Sequence, residues 1–564
     1  MKKYSLLGFT LIELLVVIAI IIILSVVGMV VFSNVKKVSQ DSRKKVDVDA
    51  IAKALEVHFD PAIGLYPQIQ DSWFSSGIIP IPPDPTSYVI KPSIFPSITG
   101  FEVCATLSDS SLFCKKSSQA VYIALASPPP SPPPSGTPNP SGSPTQCLNL
   151  ANLPTLVRND FLLNATIAGN QDHLALSRTN NGNFIATWMG THSTDADAVI
   201  LRTFDPIGTP LNASDVRINI TTAGMQQNSQ TDTDGDTRAV FVWTNGSSAC
   251  VSSCDSVAKV YLNNIPLTGE IPVNLPADRS DPEPHPNVTM IKSGIYKGYF
   301  IVSWNDTNDA TYEFKNYIRV YQPNGTAYTS PIQINQSSSI ASGALLNYIQ
   351  SINSARQFGY TRVAANLTGD VVAVWERAGD QGILYYRRFN PFTGVYQPEQ
   401  IVNTLSANVF SQHDPTIFLL DSGSFVISWW ETPSASPGND LQSSIYAKIF
   451  YADLTTSSRI NLPSNPGIVG YSRPDVKMLS TGGFISAWNY HASSSEADIF
   501  MRAFLANGTP YQNDIPVSTI AGKQWRVALD FLEDASCNLD LVIAWDSNQD
   551  AGQGTNAYSR LYQW

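Results

Sequence analysis

The chain has 564 residues, 14% of them charged, and its 35 Lys and Arg face 46 Asp and Glu for a formal net charge of −11. That balance argues against a nucleic-acid partner, which calls for a basic stripe, and a hydrophobic content of 43% excludes wholesale disorder. Plentiful Pro (38) and Gly (34) with 10% aromatics suit many short strands joined by turns, while six cysteines are too few to build a disulfide scaffold.

The N-terminal segment opens with a short stretch carrying Lys2 and Lys3, followed by an almost wholly apolar run from Phe9 to Phe32. As a helix that run spans ~36 Å, enough to cross a bilayer core of ~30 Å. No small-residue cleavage site follows it, and the preceding lysines favour a cytoplasmic N-terminus. Glu13 interrupts the run, where a carboxylate costs ~3 kcal/mol even on lenient insertion scales. A plain membrane anchor has no use for it.

The text Gly8-Phe9-Thr10-Leu11-Ile12-Glu13-Leu14-Leu15 resembles the processing site of type IV prepilins and type II secretion pseudopilins. The resemblance implies cleavage between Gly8 and Phe9 by a prepilin peptidase, methylation of the new Phe9 amine, and pairing of Glu13 with the amine of a neighbouring pilin subunit. Burying the two charges together offsets the cost of each alone and sets register between subunits. Beyond the membrane, Asp41-Ser42-Arg43-Lys44-Lys45-Val46-Asp47 leads into Ile51, Leu55 and Phe59, spaced as one helical face, and Gly64-Leu65-Tyr66-Pro67 closes it. This is similar to pseudopilins of the major kind. The cluster Lys36, Lys37, Arg43, Lys44 and Lys45 reads as the solvated face of that helix. Phe101–Cys104 and Phe113-Cys114 read as a two-stranded hairpin, with Cys104 and Cys114 expected to bridge.

Residues 127–146 contain Pro-Pro-Pro-Ser-Pro-Pro-Pro and then Ser, Gly, Thr and Pro, a spacer that packs no core and reaches ~40–60 Å at ~3 Å per extended residue. Beyond it, seven segments end in Trp after alternating apolar residues: Trp188, Trp243, Trp304, Trp375, Trp429, Trp488 and Trp545. Gly-, Asn- or Asp-rich turns precede most of them, and a polar loop and another strand follow each. Four short antiparallel strands repeated with a fixed aromatic describe a β-propeller blade. The stretch Leu153–Asp160 resembles the fourth strands elsewhere and is expected to complete the seventh blade, closing the ring. The remaining cysteines are expected to bridge as Cys250–Cys254 and Cys147–Cys537.

No His-Glu-x-x-His, Gly-x-Ser-x-Gly or Walker-type run is present. Asp232-x-Asp234-Gly235-Asp236 is read as a turn rather than a calcium loop, and no metal or cofactor is expected. At the start of the first strand, six repeats place His or Arg: His173, His285, Arg362, His413, Arg473 and Arg526. Two readings stand: strand capping repeated around the ring, or a cationic ring at the channel mouth able to hold an anionic ligand. Long irregular loops on that face (Met189–Ala198, Thr244–Val257, Asn305–Asn316, Glu431–Ser444, Asn489–Asp498, Asp546–Asn556) add candidate contact surface.

The expected fold is an α+β pilin module, a long N-terminal helix plus a small antiparallel sheet, joined by the Pro-rich linker to an all-β seven-bladed propeller. The expected boundaries are a leader over 1–8, the pilin-like domain over 9–126 with its transmembrane helix over 9–32, the linker over 127–146, and the propeller over 147–564. The expected function is that of a minor or tip subunit of a type IV pilus-like filament, presenting an extracellular adhesive propeller and not an enzyme. Alternatives are a pseudopilin of a type II secretion-like machine whose propeller engages cargo, and a membrane-anchored propeller enzyme. The expected partners are other pilin subunits, a prepilin peptidase/methylase, the inner membrane before assembly and an extracellular ligand or surface, with no nucleic acid. The expected location is the cytoplasmic membrane as a single-pass protein with its C-terminal domain outside, and then a cell-surface pilus or pseudopilus.

Overall fold

The computed structural model describes residues 37, 40–41 and 43–55, scattered positions between 69 and 91, 102–108, 111–116, and 153–564 except for 193–194, 247–253, 275–284, 309–312, 337–338, 341–359, 378–382, 405–408, 434–441, 466–469, 494, 521, 535–537 and 550–553. They belong to two compact units, Met1–Asn139 and Pro140–Trp564. The expected leader, the apolar run over 9–32, Glu13, Phe59 and Cys147, Cys250 and Cys537 lie outside the described residues. Among those described, no helix is long and apolar enough to cross a membrane.

In the first unit a helix over 43–55 carries Val48, Ile51, Ala52 and Leu55 on one face, the i, i+3, i+4, i+7 spacing of an amphipathic helix. That face is buried against Val103 and Ala105 of a three-stranded antiparallel sheet made of Val89–Lys91, Glu102–Thr106 and Leu112–Lys116. Cys104 and Cys114 lie directly opposite each other on adjacent strands and are disulfide-bonded. The basic cluster is not wholly a solvated face. Arg43 and Lys45 are exposed, but Lys44 is buried and its Nζ donates to the Thr106 carbonyl at 2.5 Å. The spacing marks it, since Lys44 lies four, seven and eleven residues before Val48, Ile51 and Leu55 and so shares their face, while its neighbours are turned ~100° away.

The second unit is a ring of seven antiparallel sheets. Each blade has an inner strand, a second strand bearing the Trp, a third strand and short outer pieces. The inner strands are Gln171–Arg178, Met225–Thr233, Asn287–Met290, Thr361–Ala365, Val409–Leu419, Tyr471–Met478 and Gln524–Glu533. Thr155–Leu162 pairs with Asn556–Gln563 as the outer strand of blade seven, so the ring is closed by its own first strand.

Hydrophobic cores lie between neighbouring blades, and period-two alternation divides each strand between two of them. In blade one, Phe184, Ala186 and Trp188 face blade seven's Val542 and Ala544, while Ile185 faces blade two's Phe241 and Trp243. All seven repeat Trp residues are at most 1% exposed and face the preceding blade.

Two further repeats fasten blade to blade. A Lys or Arg two residues before the closing aromatic of the third strand reaches a carbonyl of the blade before. Arg202 bonds Leu163, Lys259 bonds Ile218, Arg319 bonds Val273, Arg387 bonds Ile334, Lys448 bonds Val402 and Arg502 bonds Leu462. An Asn after several of those acceptors turns back into its own blade. Asn164, Asn219, Asn274 and Asn335 accept the N–H groups of Ala557, Val199, Ser256 and Asn316.

Two of the loops expected between second and third strands are, over their described residues, largely strand. Phe300–Asn308 pairs with Glu313–Tyr321 out to Asn308 and Glu313, and Phe484–His491 pairs with Ala497–Phe504 out to His491 and Ala497. These are long hairpins rather than irregular loops.

Candidate ligand site at the channel mouth

The inner strands surround a cavity of about 470 Å³ along the ring axis. Near the start of most of them the backbone leaves regular strand geometry. His173, Asn228, His285, Asp414, Arg473 and Arg526 have φ of 58°, 56°, 28°, 41°, 49° and 54°. In blades one, two, five, six and seven this is a bulge at which the register with the second strand shifts. A bulge re-aims a side chain, and here these six residues line the cavity together with Tyr360 and Arg362. The backbone N–H groups freed at two bulges are caught by carboxylates of the preceding blade. Asp546 accepts from His173 at 3.0 Å and Glu376 accepts from Asp414 at 2.9 Å.

Of the six residues expected at the mouth, five line the cavity and His413 does not. His413 is buried with Nδ1 3.6 Å from Glu376 Oε1 and its ring 4.8 Å from that of Trp430. Asp414 takes the mouth position in blade five, so the ring is mixed in charge rather than cationic throughout. The bulge causes the difference, because it moves the inward-facing residue one place along the chain. The dipeptides His285-Pro286, Asp414-Pro415 and Arg473-Pro474 share that position, and aligning them would have pointed to Asp414. Sequence reasoning also missed Asn228 and Tyr360.

Most charges at the mouth answer one another. Arg473 Nε lies 3.6 Å from Asp414 Oδ2, and Arg526 Nη1 lies 3.8 Å from Asp172 Oδ1 and 4.0 Å from Asp546 Oδ2. His173 Nδ1 is 2.7 Å from both Asp172 Oδ1 and Arg526 Nη1. Burial, with the Arg526 charge next, pushes this imidazole down to about 4, so at neutral pH the ring is uncharged. Its Nδ1 then serves one neighbour at a time, donating to Asp172 or accepting from Arg526. Burial opposes the Asp172 charge, yet the hydrogen bond with His173 and the Arg526 guanidinium hold its carboxyl below the usual range. Arg362 differs. Its guanidinium sits 5.6 Å over the Tyr360 ring and has no hydrogen-bonding or ion-pair partner among the described residues.

Deeper in the channel, Lys292 pairs with Asp232 at 3.3 Å and Lys477 with Asp530 at 3.8 Å. The carboxylates there also grip the next blade's backbone. Asp232 accepts from Met290, Asp475 from Leu529 and Asp530 from Arg178. Burial raises the Asp475 carboxyl above its ordinary value. In the Asp232–Asp236 segment, Asp234 Oδ1 accepts the N–H groups of Asp236, Thr237 and Arg238, closing its own turn, while Asp236 is paired with Lys297. Cys254 is disulfide-bonded, to a partner outside the described residues.

No family model matches the chain, and no curated protein matches it in sequence. Solved structures of similar fold include the Penicillium chrysogenum α-L-arabinanase complexed with arabinobiose, at 11% identity and a TM-score of 0.39 over 72% of this chain and 98% of that one. A polysaccharide-lyase ulvan lyase bound to its saccharide is similar at 10% identity and 0.42 over 72% and 93%. The α-L-arabinofuranosidase from Fusarium graminearum with an iminosugar inhibitor is similar at 10% and 0.37 over 71% and 97%. At such identities the likeness concerns architecture alone. The expectation that the chain is not an enzyme is withdrawn: solved structures of this architecture include an α-L-arabinanase, an α-L-arabinofuranosidase and an ulvan lyase.

Proposed function

We propose that the chain is a pilin-like subunit, minor or at the tip, of a type IV pilus-like filament, and that its propeller contacts an extracellular ligand through the channel mouth. The observation that carries this is the Gly8–Glu13 processing text, with its otherwise costly intramembrane carboxylate, ahead of the Pro-rich spacer and a ligand-sized cavity. The polarity of the propeller supports it. The chain enters through Thr155, which pairs with Gln563 at the end of a third strand, and the mouth residues lie at the opposite ends of the inner strands.

The experiment is mass analysis of exported protein together with immunogold labelling of shed filaments against the propeller. A mature chain beginning at a methylated Phe9, and gold on filaments, are expected. Glu13→Ala should insert into the membrane normally and be depleted from filaments. An uncleaved leader, or filament incorporation of the Glu13→Ala protein at the unsubstituted level, overturns the proposal.

A further inference from the structure

The cations that line the channel are answered one by one. Arg473 and Arg526 have carboxylates within 4.0 Å, and so do Lys292 and Lys477. Arg362 stands apart, facing the cavity beside Tyr360, whose own ring lies 4.4 Å from that of His285. A guanidinium withdrawn from water with no carboxylate in hydrogen-bonding reach is costly, and a carboxylate held by two parallel N–H bonds is the partner its planar fork fits. The nearby carboxylates Asp414 and Asp475 repel a second negative charge.

The rest of the lining asks for hydroxyl groups. The side-chain amides of Asn228 and Gln230 face the cavity and have no hydrogen-bonding partner among the described residues. Asp414 spends Oδ2 on the Trp430 indole N–H at 3.0 Å and leaves Oδ1 without a partner among the described residues. Amides both donate and accept, and a carboxylate oxygen accepts only, which suits a ligand rich in O–H groups. A cavity of about 470 Å³ is of a size to take a small sugar.

We infer that the channel mouth is a binding site for a hydroxylated monocarboxylate, a sugar acid free or at the end of a glycan, with Arg362 holding the carboxylate and Asn228, Gln230 and Asp414 the hydroxyls. The inference rests on the proposal that the mouth receives a ligand, and it names that ligand's chemistry.

The test is calorimetric titration of the full-length protein in detergent with D-glucuronate, D-galacturonate, D-glucose and inorganic sulfate. At least one uronate is expected to bind, with glucose and sulfate each at least ten-fold weaker. Arg362→Gln should weaken the uronate by ten-fold or more with an unchanged melting temperature, and Arg362→Lys should recover part of the loss. Asn228→Ala should weaken the uronate and leave the weak sulfate binding as it was.

Three results overturn the inference: no uronate binding, equal binding of glucose or sulfate, or unchanged uronate affinity in a folded Arg362→Gln protein. If Arg362→Gln fails to fold, the glucose, sulfate and Asn228→Ala arms decide it alone. Uronate binding by a chain that never reaches filaments would defeat the filament proposal and leave this one standing. Labelled filaments without uronate binding would do the reverse.

Discussion

At the mouth the decisive unit is a single residue in left-handed conformation. Asn, Asp and His accept such a φ more readily than most residues, and Arg there is held by its surroundings. His173 also couples folding to protons. Its imidazole resists protonation until about pH 4, whereas in an unfolded chain it ionises near 6.5. Between those values the unfolded state binds more protons. The contribution of a neutral His173 is therefore intact above about pH 6.5 and declines as pH falls toward 4, by up to about 3 kcal/mol. His173→Asn, the residue blade two already carries at φ 56°, should keep the backbone and remove that dependence. Urea unfolding at pH 7 and pH 4.5 is expected to show a smaller loss in the variant than in the unsubstituted protein. Equal losses would contradict the assignment. The same scale explains the misplaced His413. A period-two reading carries no information about a bulge, and one residue of slip exchanges the face a side chain occupies.

At the scale of the blade, the Trp-ending strands were legible because both of their faces are buried and their apolar residues are nearly continuous. The hairpin extensions were not, because sequences such as Asn305-Asp306-Thr307-Asn308 are polar throughout and look like loop although they pair residue for residue with 313–316. The Lys/Arg-x-Phe/Tyr repeat of the third strands was present in the sequence, but a basic residue on a strand reads as solvent-facing until a neighbouring blade's carbonyl is found beside it. Arg502 illustrates its weight, with Nη1 on the Leu462 carbonyl at 3.2 Å and Nε on that of Gln512 at 2.5 Å, and little solvent exposure. Arg502→Met, which keeps the apolar stem, should cost about 1–3 kcal/mol by leaving buried carbonyls unmatched. Trp375→Ala should cost about 3–5 kcal/mol by opening a cavity between blades three and four. Chemical denaturation of the two variants checks the order, with the Trp substitution the more damaging.

At the scale of the molecule, ring closure was readable from counting: one strand too few at the end of the repeat and one too many at its start. Closure joins Thr155–Leu162 to residues nearly the whole propeller away, with Arg560 Nε on Asp160 Oδ1 at 2.6 Å and Asn164 bonded to Asn556 across the same seam. Deleting residues 153–162 should expose the edge of Asn556–Gln563 and uncover part of the core between blades seven and one. Differential scanning calorimetry should then show a lower and broader transition. Appending the same strand after Trp564 through a Gly-rich connection should restore the sharp one. A deletion variant that melts as the intact ring does would show that the seam contributes nothing to cooperativity.

The placement of that first strand also decides how the ring carries mechanical load. On the proposed function, a pull between the chain at Thr155 and a ligand held at the mouth enters the closing strand at the end away from the mouth and is passed along its length. The ladder to Asn556–Gln563 is therefore loaded in shear, with its hydrogen bonds strained together rather than peeled one after another. Had the chain entered at the mouth end, the same tension would have unzipped the seam from its tip. If the propeller is tethered as proposed, the closing strand doubles as its tow point.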